Sequence, residues 1–83
     1  MYQVKMVTKE RTVTVSEFES LEGAKARIAF LILAYIERNS PCLLYPYRGP
    51  EGNGFTAVAE KKVVHYVIKE DKVWWKEHND NSR

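Results

Sequence analysis

The chain contains one cysteine, Cys42, among its 83 residues. A single thiol makes neither an internal disulfide nor a cysteine-rich zinc site, so packing alone must hold the fold and a reducing compartment is favoured. Histidine is almost as scarce: His65 and His78 stand thirteen positions apart with no cysteine pair beside either, and no metal site is expected. The glycines at 49, 52 and 54 have neither the GxGxxG spacing nor a Gly-Lys-Ser/Thr sequence, which argues against nucleotide binding, and no cofactor is expected. A Cys42–histidine nucleophile is outweighed by the reading of Cys42 as a small, partly buried residue on a short strand. No carboxylate is placed in an apolar context that would suggest a raised pKa, apart from Glu60 and Glu77 near strand ends. With no catalytic constellation, the sequence does not read as an enzyme.

Charge of one sign is also lacking. Thirteen Lys+Arg against eleven Asp+Glu leave +2, so bulk charge requires no nucleic acid, anionic membrane or acidic substrate. The apolar run Ile28–Ile36 is nine residues, far short of the ~20 that cross a bilayer, and Lys25, Arg27, Glu37 and Arg38 flank it. No membrane partner is expected. Met1 to Glu10 carries scattered charge and no apolar run ending in a small-residue cleavage site, so no signal peptide is expected and a cytoplasmic location is the default.

What is present describes an ordinary globular chain, 45% hydrophobic and 29% charged. Its length suits one domain, placed at 1–78 with a disordered tail at 79–83. Tyr2, Val4 and Met6 alternate with polar residues, as do Val13 and Val15 among threonines, which predicts two strands joined as a hairpin. Their turn has no Gly, Asn or Asp, which favours a loop of three to five residues over a tight pair. Two helix starts compete, a Ser16–Glu19 capping box and a Ser20 cap, and the Ser20 cap is preferred, giving a helix over Leu21–Arg38 that Pro41 stops. Cys42 to Tyr45 suits a short strand that Pro46 confines to an edge. Arg48 to Gly54, with three glycines and a proline, reads as a loop. Strands are expected at Phe55–Ala59, Val63–Lys69 and Val73–Lys76, the last two as a hairpin. A helix over 59–69 is disfavoured by its β-branched residues. The order ββαβββ gives an α+β fold of two layers, an antiparallel sheet of four to five strands with one helix on one face.

Partners are read from what the core does not need. Leu21, Ala24, Ile28, Leu31, Ile32, Tyr35 and Ile36 supply the buried stripe of the helix, leaving Phe30 and Leu33 as surplus. Either a curved sheet or the Pro/Gly loop wraps over them, or they meet another protein or a second copy of this chain. Trp74 and Trp75 are adjacent on a strand and point to opposite faces, so one is expected outside the core. Tyr45 and Tyr47 share a face beside the Pro46 edge, and Arg48 sits on the loop. These seven residues, Phe30, Leu33, Tyr45, Tyr47, Arg48, Trp74 and Trp75, are the expected protein-binding set. The first expectation for function is a small protein-binding module, a regulator or inhibitor of the kind phages encode, acting by docking on another protein or as a homodimer. The alternative is a nucleic-acid binder that uses aromatics with Lys61, Lys62, Lys69, Lys72 and Lys76. The segment 60–78 has only one net positive charge, which weighs against it.

Overall fold

The computed structural model describes residues 1–69. Five strands and one helix follow in the order β1 (Tyr2–Val7), β2 (Thr12–Phe18), α1 (Leu21–Arg38), β3 (Leu43–Gly49), β4 (Gly52–Ala59) and β5 (Lys62–Ile68). The sheet runs β2-β1-β5-β4-β3 and every pairing in it is antiparallel. This is the two-layer α+β architecture with a five-stranded sheet. The expected strand at Val73–Lys76, Trp74, Trp75, Lys72, Lys76 and the tail at 79–83 all lie outside the described residues. Among the described residues no helix is long and apolar enough to cross a membrane.

The first hairpin closes without glycine because Thr8 does the work of a turn residue. Its hydroxyl accepts from the Glu10 and Arg11 amides, both at 3.3 Å, and its amide donates to the Arg11 carbonyl at 2.9 Å. A register shift between Val4 and Lys5 makes Val15 the extra residue of a bulge in β2, and Val15 packs against the core. Ser20 caps α1, its hydroxyl accepting from the Gly23 amide at 3.1 Å. At the other end the Asn39 side-chain amide donates to the Tyr35 carbonyl at 2.9 Å.

The helix connects the two edge strands of the sheet, β2 and β3, and the meander β3-β4-β5 then returns the chain to β1. α1 lies over β5, β1 and β2. Ala24, Ile28 and Ile32 bury their side chains against Val4, Ala57, Val64, Tyr66 and Ile68. Tyr35 meets Tyr66 edge to face at 6.1 Å. The hydrophobic effect acts most fully on β1 and β5, where Val4, Val67 and Ile68 have no solvent contact.

Arg48 to Gly54 is not a loop. Arg48 and Gly49 end β3, Gly52 begins β4, and only Pro50 and Glu51 lie between them. Two glycines in this region are demanded by close approach to β5. Gly52 has φ +140°, and an added Cβ there would run into the Ile68 carbonyl. A Cβ on Gly54 would strike the Tyr66 carbonyl and lie 2.8 Å from Val67 Cα. The hairpin consequently curls over the helix-free face. Glu51 reaches Lys5 on β1 at 3.4 Å, and Lys69 Nζ donates to the Pro50 carbonyl at 3.3 Å.

Gly54→Ala is expected to lower unfolding stability by about 2 kcal/mol or more, since rigid backbone has to move. Gly23→Ala should be close to neutral. Its Cβ would press on the movable Phe18 ring edge at 3.1 Å and touch the Ser20 hydroxyl at an ordinary 3.4 Å, offsetting a helix-propensity gain of about 1 kcal/mol. Urea denaturation of both variants checks the contrast, and similar losses would contradict the close-approach reading.

Candidate functional site

Strand register sorts the exposed side chains onto two faces. On the helix side stand Leu44, Pro46 and Arg48 of β3, opposite Ala57, Phe55 and Asn53 of β4. On the helix-free side stand Leu43, Tyr45 and Tyr47. The sequence-predicted residues therefore divide: Phe30, Leu33 and Arg48 are reached from the helical layer, Tyr45 and Tyr47 from the open sheet face.

On the helical layer the offset of α1 leaves the β3 side of the sheet only partly covered. A groove of about 310 Å³ runs there between Ala29 and Leu33 of α1 and Leu44 and Phe55 of the sheet, floored by Ile28 and Ile32. Lys25 stands at its edge, 3.6 Å from Glu22 one turn away. Leu33 is 62% exposed and Phe30 60%. The wrapped alternative for these two does not hold, because the Pro/Gly segment is a tight turn that curls over the opposite face. Ala26 and Ala29 are exposed between them, so the apolar surface is continuous from Phe30 to the groove. Arg27 places its guanidinium 5.5 Å from the Phe30 ring centroid.

Sequence reasoning missed Leu43 and Leu44. Both are exposed, the former at 59%. The signal was available: two consecutive leucines on an edge strand must point to opposite faces, and a single helix covers only one of them.

The open face is organised around His65. Its Nδ1 shares a 2.7 Å hydrogen bond with Thr56 Oγ1, and Tyr47 stacks on its ring with centroids 4.0 Å apart and planes 14° apart. The stack spans from β3 to β5 across β4 because Gly54, opposite Tyr47, carries no side chain. Burial pushes the imidazole below its ordinary pKa of 6.5. Cys42 packs on the core side of the sheet, so it and His65 are on opposite faces. Among the described residues no three His, Cys, Asp or Glu side chains gather as metal ligands.

The lysines of the alternative reading are not brought together. Lys61 and Lys62 sit at the β4–β5 turn, while Lys69 follows the other end of β5, roughly 23 Å away at ~3.3 Å per residue, and is engaged by Pro50. No protein-family model matches this chain, and no curated protein or solved structure is significantly similar to it.

The His65 shift has a definite sign. The folded state holds the imidazole neutral, whereas the unfolded chain takes up a proton as pH falls through about 6.5. Stability should therefore decline as pH drops below that value, until the folded form is itself protonated. His65→Phe, which keeps a stacked ring without a titrating nitrogen, should flatten the melting temperature between pH 7.5 and 5.5. An unchanged slope in that variant would refute the assignment.

Proposed function

We propose that this protein is a small binding module that docks on another protein, with the apolar surface shared by α1 and β3 receiving an amphipathic helix of that partner. The observation that carries the reading is the continuity of exposed Phe30 and Leu33 with the groove lined by Ala29, Leu44 and Phe55. An apolar area of this kind on a small domain is the usual mark of an interaction surface.

The choice of a helix as occupant comes from Pro46. Proline has no N–H to give to β4, so position 46 must be one whose main chain faces the free edge of β3. That edge is missing a donor at its middle. An added strand could not pair along it, and recognition must instead run through side chains entering the groove, as an amphipathic helix does. Docking through such a surface fits a regulator or inhibitor. A cytoplasmic site of action and a phage origin are compatible with that role.

Leu33→Glu places a charge in the groove wall at an exposed position, where substitutions change stability by about 0.5 kcal/mol or less. The variant should keep the circular dichroism spectrum of the parent and lose a partner that the parent retains stoichiometrically after nuclease treatment. Thr14→Lys, on the open sheet face, should keep it. Retention of the same partner by the Leu33→Glu variant would overturn the proposal. A dimer in light scattering that Leu33→Glu dissociates would assign the surface to a second copy instead.

A further inference from the structure

The two sides of β5 are not equally paired. Along β4 it is matched over its whole length, from Ala59↔Lys62 to Asn53↔Ile68. Along β1 the pairing stops at Val7↔His65. Beyond Val7 the chain turns back through Thr8 to Arg11, so Lys62, Val63 and Val64 have a strand on one side and a notch on the other. A cavity of about 630 Å³ fills that notch, bounded by the β1–β2 turn and by the first residues of β5.

Three properties of the notch point to one class of ligand. The first is an open main chain. Antiparallel pairing alternates, and the two-residue turn Glu60–Lys61 makes Lys62 a residue bonded to β4. Val63 therefore directs its N–H and C=O away from β4, toward the notch. The second is charge. Among the described residues, Lys9, Lys61 and Lys62 line the cavity with Glu10 as the only carboxylate, and none of the three lysines has an ion-pair partner there. The third is an unsatisfied hydroxyl. Tyr35 lines the same cavity, and its hydroxyl oxygen is buried with no hydrogen-bond partner. Such groups are rare in folded proteins and call for a partner. Burial pushes this phenol above its ordinary pKa, so it stays protonated and able to donate.

We propose that the notch between β5 and the β1–β2 turn binds an acidic peptide segment in extended conformation. The peptide main chain pairs with Val63, its carboxylates meet Lys9, Lys61 and Lys62, and its apolar side chains rest on Val7, Val63 and the Tyr47 ring. Addition of a strand to an exposed sheet edge is an established recognition mode, with main-chain bonds giving affinity and the flanking side chains giving selectivity. The same edge logic that excludes a strand at β3 admits one here, because no proline interrupts Lys62–Val64. Nucleic acid fits less well. The facing planes of Tyr47 and His65 are already occupied by each other, and an open main-chain edge matches a peptide main chain. The site shares no residue with the α1/β3 groove, so it stands independently of that surface.

The test uses the full chain labelled with ¹⁵N and three probes: the peptide acetyl-(Glu-Val)₃-amide, its lysine counterpart acetyl-(Lys-Val)₃-amide, and an oligothymidylate of eight nucleotides. The acidic peptide should shift the Val63 amide resonance and slow its hydrogen exchange, with the lysine peptide inert. Lys61→Glu with Lys62→Glu should weaken binding by about tenfold or more, since like charge then faces the ligand. Lys9→Glu, on the opposite wall, should act in the same direction and guards against a folding artefact in the double variant. Absence of any Val63 response at millimolar acidic peptide, or equal binding of the lysine peptide, would overturn the proposal. Preferential binding of the oligonucleotide at the same residues would overturn it in favour of a nucleic-acid site.

Discussion

The pairing of β1 with β5 joins two halves that are otherwise separate in the chain. β1 belongs to the N-terminal hairpin and β5 ends the meander, and only their register from Val4↔Ile68 to Val7↔His65 makes one sheet of them. Val4, Val67 and Ile68, all without solvent contact, sit on this seam. The helix settles over the same seam, because Ala24, Ile28 and Ile32 bury most area where apolar residues of both strands are available. The groove and the notch are both by-products of that placement. A helix centred there stops short of β3, which leaves the groove. A β1 that turns away after Val7 leaves the first residues of β5 paired with β4 alone, which makes the notch.

The curled β3–β4 hairpin completes the arrangement from the other side. Gly52 and Gly54 let β4 press against the backbone of β5, and Tyr47 then reaches His65 across β4. The Lys5–Glu51 pair at 3.4 Å ties the turn to β1. A partly exposed ion pair contributes little, on the order of 1 kcal/mol or less, so the glycine approach and the aromatic stack carry more of the geometry. The result is a domain whose apolar surplus is displayed on the outer helix face and the β3 edge.

Much of this was legible in the residues. The helix over Leu21–Arg38 follows from an apolar stripe at helical spacing, a serine cap and a proline stop, all local signals. Strands β1, β2 and β5 follow from alternation and β-branched composition. Position at an edge follows from Pro46. The β3–β4 turn was misread because glycine density ordinarily marks a loop, whereas Gly52 and Gly54 stand two apart on a strand and face another backbone, a tertiary requirement that no local pattern announces. The exposure of Phe30 and Leu33 was readable as surplus apolar surface on the helix. The notch was not, since it arises from where β1 and β5 part company, and strand order cannot be read from either segment alone.

The central claim is that the outer face of α1 and the adjoining groove form a docking surface for another protein. A photo-reactive phenylalanine analogue placed at Leu33, with a second chain carrying it at Thr14 as control, tests this inside the native host. The account predicts a covalent adduct from position 33 to one protein, mapped to a segment with apolar residues at helical spacing, and no adduct from position 14. Adducts of equal yield from both positions, or none from position 33, would contradict it.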